Sequence, residues 1–397
     1  MSALTMPASK PSRPARFNSL LLTKIRLLTD DSTALTFLVP DSLRDDYSFL
    51  PGQYLTLKAD IAGESLRRSY SIASASQDVT RLEVGIRRVE GGRFSNWACD
   101  LSAGINMDVM TPQGNFNVEL QHEEGAAIDE NNPAGAKQYL LIAAGSGITP
   151  CLSIIKSVLQ EEPETNITLI YGNRSSDSIM FVDDLKALKD RYTRRFSMIH
   201  VLSRERTDAP LLQGRIDSEK LQSFSDLKLI SDNPWQGAYC CGPEAMLDDV
   251  VAWLIDKKGL LPEQVHRELF MVAGSEQSQY VPENSDDRSL GTIGKADSNQ
   301  SDPGEVMVTI RIDGSERQVP VRGSSETILA AADRSGLELP FSCAGGMCCT
   351  CRCKVMAGSV NMDANYSLAK WEVEAGYVLA CQSRHAEGEL ILDFDQS

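Results

Sequence analysis

Residues 138–160 read QYLLIAAGSGITPCLSIIKSVLQ, and this stretch decides the architecture. QYLLIAA is a near-continuous apolar run, the pattern of a strand buried on both faces. It ends at Gly145. After Gly147 the pattern becomes Ile154/Val158 and Ile155/Leu159, spaced four apart as on a helix. Downstream, NITLIYGN, FSMIHVLSRE and GAYCCGP read as further strands, with helical patterns between them at FVDDLKALKDRY and EAMLDDVVAWLIDKKG. Alternating β and α over 137–270 predicts a parallel sheet with helices on both faces.

Upstream the texture differs. Within 17–125, SLLLTKIRLL, ALTFLV, QYLTLKADI and RLEVGIRRV are short β-rich runs punctuated by DDS, PGQ, AGE and EGGR. Many short strands with such turns predict an antiparallel β-barrel. Residues 1–16 read as a frayed tail, and the polar stretch 121–137 as a loop at a domain boundary. Residues 271–304, dominated by Ser, Asp, Glu, Gly and Asn, predict a flexible linker. Beyond it, in 305–397, Val306, Val308, Ile310 and Ile312 alternate, turn at Asp313-Gly314 and resume at Val319 and Val321, a hairpin signature. SSETILAAADRSG follows as a capped helix closed by Gly336, so the last domain is α+β.

The chain has 397 residues, 39 Lys plus Arg against 55 Asp plus Glu, and a net charge of -16. That length predicts several domains. The negative excess repels phosphate backbones and anionic lipid, which makes nucleic acid and membranes poor partners. Six of the ten cysteines lie between Cys343 and Cys381, which suits a metal centre in a cytoplasmic protein better than a disulfide framework.

Cys343, Cys348 and Cys351 form C-x4-C-x2-C in the loop CAGGMCCTC, and Cys381 follows at a distance. This is the spacing of a plant-type [2Fe–2S] site, where one loop supplies three thiolates and a remote element the fourth. Zinc is the alternative, but zinc sites usually pair two short knuckles. Cys349 and Cys353 read as small buried residues, with a ligand swap by Cys349 left open by spacing alone.

Two further motif sets bear on nucleotides. In RRSYSI, Arg68, Ser69, Tyr70 and Ser71 can offer a phosphate partner, an aromatic cover and a hydroxyl; an exposed polar strand is the plainer reading of that segment alone. EGGRFSNW adds Gly92, Arg93 and Ser95 at a helix start. Gly145, Gly147 and Thr149 lie in a glycine-rich strand-to-helix turn, the place where a dinucleotide binds in a parallel sheet. Cys241, Gly242 and Pro243 end another strand in the same way, and Ser203 and Arg204 after a third suit a 2′-phosphate, favouring NADPH over NADH.

In this order, Arg-x-Tyr-Ser, Gly-Gly-x-x-Ser, Gly-x-Gly-x-Thr-Pro and Cys-Gly-Pro resemble the signatures of the ferredoxin–NADP reductase superfamily. With the C-terminal cysteine pattern, and phrases such as LPGQYLTLKADIAGESLRRSYSI, YGNRSS, HVLSRE and GYVLACQSR, the chain resembles the reductase subunits of phenylacetyl-CoA epoxidases. The resemblance implies a flavin barrel, a nucleotide domain and a β-grasp ferredoxin domain. It implies that Arg68, Ser69, Tyr70 and Ser71 hold FAD, with Gly92, Arg93 and Ser95 at its phosphates and Phe270 over part of the ring. It puts Thr149 near the flavin–nicotinamide junction and Cys241 beside the nicotinamide, with Ser71 and Cys241 at the reacting centre. Gly145, Gly147, Ser203, Arg204, Gly242 and Pro243 would bind NADPH, and Cys343, Cys348, Cys351 and Cys381 would hold the cluster. Electrons would run from NADPH to FAD to [2Fe–2S] and on to a di-iron oxygenase component.

Other readings compete. The partner could equally be a Rieske-type ring or steroid hydroxylase, because cofactor motifs do not read the partner. A self-contained di-iron oxygenase needs Glu-x-x-His units on bundle helices. Glu119/His122 and Glu263/His266 have that spacing but lie outside any long amphipathic pattern. A carrier using the cluster alone would leave both nucleotide motif sets unexplained.

Overall fold

Short strands joined by tight turns build the first sheet of the computed structural model, which describes residues 15–120, 137–270 apart from 207, 232 and 233, and 305–396 apart from 369. They are β1 (Phe17–Thr29), β2 (Ser32–Leu38), β3 (Tyr54–Ile61), β4 (Glu64–Ser71), β5 (Arg81–Arg87) and β6 (Asn106–Met110), with helix α1 (Arg93–Cys99) between the last two. Ala62 and Gly63, with φ of 53° and 82°, make the two-residue turn whose twist suits the β3–β4 hairpin. The strand order is β4-β3-β6-β1-β2-β5, and Ile72, just past β4, bridges Val84 of β5. The two edges thereby meet as a barrel, which removes the open edges a flat sheet would expose.

The second sheet contains β7 (Gln138–Ala144), β8 (Asn166–Asn173), β9 (Phe196–Leu202), β10 (Gly237–Gly242) and β11 (Val265–Leu269). The helices α2 (Ile148–Glu161), α3 (Val182–Arg191), α4 (Ser218–Asp226) and α5 (Glu244–Asp256) connect them. The sheet is parallel, in the order β11-β10-β7-β8-β9. The apolar run of β7 is explained by its central place: Tyr139, Leu141 and Ala143 face one core, Leu140 and Ile142 the other. Burying each such Leu or Ile favours folding by roughly 1.5–3 kcal/mol, so both faces contribute. Helix α4 was not foreshadowed by a clear apolar period; Asp217 starts it by accepting from the Lys220 N–H at 2.8 Å.

Most of the barrel (18–61 and 68 onward) and the parallel sheet belong to one compact unit. Arg26 of β1 pairs with Glu83 at 3.2 Å and with Asp184 of α3 at 2.8 Å, and Lys156 of α2 reaches the same Asp184 at 3.1 Å. Ser153 Oγ donates to the Ser74 carbonyl at 2.8 Å, and the Ser76 N–H donates to Ser157 Oγ at 3.0 Å. Gly85 is required where it stands: a methyl there would lie 2.8 Å from the Phe181 ring.

The second compact unit holds the C-terminal domain. Its strands are β12 (Val306–Ile312), β13 (Ser315–Val321), β14 (Arg352–Met362), β15 (Tyr377–Leu379) and β16 (Ser383–Asp393), with α6 (Ile328–Arg334) and α7 (Lys370–Glu374). The order is β13-β12-β16-β14-β15, with β12 and β16 parallel and the other pairs antiparallel. Val308, Ile310, Val319 and Val321 of the hairpin pack with Ile328, Leu329 and Leu392, the β-grasp arrangement. Residues 1–14, 121–136 and 271–304 fall outside the described residues, and with them most of the expected tail, loop and linker and also His122. His266 lies on β11 after a short turn at Pro262–Gln264, so the Glu263/His266 spacing is not a helical pair. No described helix is long and apolar enough to cross a membrane.

Candidate functional site

In the parallel sheet, β7 and β10 are neighbours whose following segments lead to opposite edges, and their carboxyl ends open a crevice at this switch point. Gly145 has a φ of +56°, and a methyl there would meet Arg87 Nη1 at 3.1 Å. Gly147 lies closer still, since a methyl would sit 2.3 Å from the Cys241 carbonyl oxygen. The glycines thus let the turn pass against the end of β10. Thr149, buried in the first turn of α2, donates to the Ser146 carbonyl at 2.9 Å, and the Tyr171 hydroxyl donates to the Gly145 carbonyl at 2.9 Å. A methyl on Gly242 would meet Met246 at 2.6 Å, and Pro243 is the residue before α5.

Three side chains from three strands meet beside this turn. Ser71 Oγ and Cys241 Sγ both donate to Glu268 Oε2, at 3.5 and 3.7 Å. Burial pushes the Glu268 carboxyl up to about 8, against the opposing hydrogen bonds from Cys241 and Ser71, so it is protonated at neutral pH. Burial, and then Glu268, push the Cys241 thiol up as well, which makes it a neutral thiol rather than a nucleophile. The sequence reading found Ser71 and Cys241 and missed Glu268 and Arg87. The available signal for Glu268 was an acid at the carboxyl end of a parallel strand. Phe270, just beyond, donates its N–H to the Gly242 carbonyl at 3.0 Å and packs against the core under α2.

On β4, Arg68, Ser69 and Tyr70 are half-buried and Ser71 is buried. The Tyr70 ring lies 6.0 Å from that of Phe94 in α1, and burial raises its phenol. Ser69 Oγ is 3.3 Å from Thr56 Oγ1. Gly92 precedes α1, Ser95 Oγ accepts from the Val89 N–H at 3.2 Å, and Arg93 donates to the Ile61 carbonyl at 2.9 Å. Ser95 and Arg93 therefore shape the glycine turn itself and fasten it to the end of β3. Farther along the parallel sheet, Ser203, Arg204 and Arg206 line an open depression of about 420 Å³ together with Gln213 and Gly214.

In the C-terminal domain the cysteine loop is wound tightly, with Ala344, Gly346 and Cys349 at φ of 50°, 78° and 54°. Its thiols face each other in two pairs, Cys343 with Cys348 and Cys351 with Cys381. The hydrogen bond within the first pair lowers Cys348 to about 6, and that within the second lowers Cys381. Backbone N–H groups of Gly345 and Met347 point at Cys343 Sγ, each at 3.4 Å, and Thr350 Oγ1 donates to Cys348 Sγ at 3.2 Å. Among the described residues no three His, Cys, Asp or Glu side chains converge on a single-ion site. Two thiol pairs under N–H donors suit two irons better than one tetrahedral zinc. Cys353 is fully buried, while Cys349 packs against the core and burial raises it to about 12.

Three family models match the chain. An oxidoreductase FAD-binding domain covers 19–118, an oxidoreductase NAD-binding domain 141–252, and a 2Fe-2S iron-sulfur cluster binding domain 310–385. The chain is 42% identical over 380 residues to one of the subunits of 1,2-phenylacetyl-CoA epoxidase from Escherichia coli (strain K12), covering 96% of this chain and 98% of that one. The chain belongs to the ferredoxin–NADP reductase superfamily. Within it, this reductase is 30% identical over 375 residues to the ferredoxin reductase component of 3-ketosteroid-9-alpha-monooxygenase from Rhodococcus rhodochrous, covering 92% and 93% of the two chains. Phthalate dioxygenase reductase shares its fold with a TM-score of 0.51 at 23% identity, over 95% of this chain and 98% of that one. An intact type IV self-sufficient cytochrome P450 monooxygenase gives a TM-score of 0.62 at 19% identity, over 96% and 41%.

The reductase is thus an oxidoreductase with FAD-, NAD- and [2Fe–2S]-binding domains. Its residues fit those groups. The paired thiols under amide donors suit a cluster, the Gly145–Gly147 turn suits a dinucleotide, and Tyr70 beside buried Ser71 offers an aromatic face and a hydroxyl to a flavin.

Proposed function

We propose that this reductase oxidises NADPH and passes the electrons through FAD and [2Fe–2S] to the di-iron oxygenase component of a phenylacetyl-CoA epoxidase, in aerobic phenylacetate degradation. The near full-length 42% identity to the Escherichia coli protein carries this reading. FAD, when bound, accepts two electrons together from a nicotinamide and releases them singly to a one-electron cluster.

The chain's own residues would act as follows. Arg68 pairs with the flavin's pyrophosphate, Ser69 and Tyr70 line it, and the Gly92–Ser95 turn approaches its phosphates. The Ser71 hydroxyl would contact the ring, and Glu268, whose Oε2 lies 3.5 Å from Ser71 Oγ and 3.7 Å from Cys241 Sγ, would hold a proton within reach of both. Cys241 would stand beside the nicotinamide and Thr149 near its junction with the flavin, with Gly145, Gly147, Gly242 and Pro243 giving it access, and Phe270 would cover part of the flavin. Ser203 and Arg204, with Arg206 in the same depression, take a 2′-phosphate, which favours NADPH. Cys343, Cys348, Cys351 and Cys381 ligate the cluster. The working domain division is 17–125, 137–270 and 305–397. The proposal places the protein in the cytoplasm, where thiols stay reduced and available to a cluster.

A second reading, reductase of a steroid or ring-hydroxylating oxygenase, is favoured by the 30% identity to the ketosteroid component. NADPH oxidation by the purified protein separates the two. One arm contains a purified phenylacetyl-CoA epoxidase oxygenase, phenylacetyl-CoA and oxygen; the other contains cytochrome c. Substrate-dependent turnover in the first arm supports the proposal. Activity with cytochrome c alone moves the partner to another oxygenase, and inactivity in both refutes electron transfer.

A further inference from the structure

We infer that Asn173 positions the pyridine nucleotide, its buried side-chain amide being left short of hydrogen bonds until the ligand completes them. The inference rests on the reading of the β7–β10 crevice as a nucleotide site. Asn173 is the last residue of β8 and is 7% exposed. Both its Nδ2 and its Oδ1 are buried, and neither makes a well-formed hydrogen bond among the described residues, the Tyr171 hydroxyl being the polar group that interacts with it. An amide in that state is costly, because it has given up water without full replacement, and folded proteins retain few of them.

Its place in the fold says what could satisfy it. In the ladder, Gly172 pairs with Ala144, so Asn173 lies one step beyond the level at which β7 gives way to the glycine turn. Tyr171, two residues back and on the same face of the strand, donates to the Gly145 carbonyl, and its hydroxyl lies beside the Asn173 amide. On the other side, the Asn173 main-chain carbonyl accepts from the Ser203 N–H at 2.9 Å, at the rim of the depression lined by Ser203, Arg204 and Arg206. The amide therefore stands between the turn and the depression. His200 pairs with Tyr171 in the ladder, and its buried Nδ1 also lacks a partner.

The chemistry narrows the ligand further. Such an amide has N–H groups that need an acceptor and a carbonyl oxygen that needs a donor. Phosphate oxygens answer only the first need, whereas a ribose hydroxyl beside a diphosphate answers both. The amide thus recognises the ribose–diphosphate portion common to NADPH and NADH, leaving the choice between them to Ser203 and Arg204.

The test uses full-length protein loaded with FAD and cluster, and compares Asn173→Leu, Asn173→Ser and Arg204→Ala with wild type. NADP+ and NAD+ affinities come from calorimetry, and the unfolding midpoint is measured without nucleotide. Leu has nearly the shape of Asn and no polar atoms. N173L should weaken both nucleotides by a similar factor, about tenfold for one or two lost hydrogen bonds. It should leave the nucleotide-free midpoint unchanged or raised, since a costly group is gone. N173S should recover part of the affinity, and R204A should weaken NADP+ alone. Affinities within twofold of wild type in N173L would overturn the inference. So would a midpoint several degrees lower in both N173L and N173S, which would mean that the amide is structural. Wild-type protein that binds neither nucleotide would overturn the crevice reading and this inference with it; R204A losing NADP+ while N173L loses nothing would overturn this inference alone.

Discussion

Glu268 should make the larger unit less stable as pH rises, and replacing it should remove that slope. The carboxyl titrates at about 8 in the fold against 4.5 for an ordinary glutamate, because burial opposes its charge. A raised carboxyl pKa means that the folded state holds a proton the unfolded chain has lost. Stability therefore falls as pH climbs from about 4.5 to 8 and levels off above that. With each pH unit worth about 1.36 kcal/mol, the full effect approaches about 5 kcal/mol. The Ser71 and Cys241 hydrogen bonds are already part of that balance. Glu268→Gln keeps the shape and the acceptor but cannot ionise. Urea unfolding across pH 5 to 9 should show a slope for wild type that is absent in E268Q. Infrared spectra should show a protonated carboxyl band in wild type at pH 6 that fades through about pH 8 and is missing from E268Q. Equal slopes together with no missing band would refute the reasoning, because the buried carboxyl would then be ionised or irrelevant.

Other expectations follow from the same geometry. Cys348→Ser should abolish the visible cluster spectrum. Cys349→Gly should retain it and shift the domain's stability by less than about 1 kcal/mol, since relief of the backbone at φ +54° and loss of the packed side chain oppose each other; calorimetry of both variants checks this. Gly147→Ala would force a methyl to within 2.3 Å of the Cys241 carbonyl, so nucleotide affinity should fall at least tenfold while the cluster spectrum is unchanged. For Asp184, burial alone would raise its carboxyl, but Lys156 and Arg26 hold it below the usual range. Its contribution is present at neutral pH and is lost on acidification through its lowered pKa. Asp184→Asn should cost about 3 kcal/mol at pH 7 and flatten the acid limb of the stability curve, as read by urea titration.

Which features were legible in the sequence follows from how local their causes are. Strand β7 was legible because central placement demands apolar residues on both faces, and the pattern of Tyr139 to Ala143 records that directly. The cysteine loop was legible because three thiols must share one tight turn, which fixes their spacing. Glu268 was not, since its partners Cys241 and Ser71 lie 27 and 197 residues away and only the assembled fold brings them together. Asn173 was hidden for a related reason: what distinguishes it is a buried amide short of well-formed hydrogen bonds, which no motif encodes. Helix α4 was obscured because its buried side comes down to Leu221, Phe224 and Ser225, too few to set a period.

The joint between the barrel and the parallel sheet carries a consequence for protein engineering. Arg26 with Asp184, Ser153 with Ser74, Ser157 with Ser76 and the Phe181 ring seated on Gly85 are all matched across it. A chimaera that exchanged only the nucleotide half for a relative's, to alter coenzyme choice, would cut through every one of these pairs at once. The barrel and the nucleotide domain are therefore better inherited together, while the ferredoxin domain has a core of its own from Val308 to Phe394.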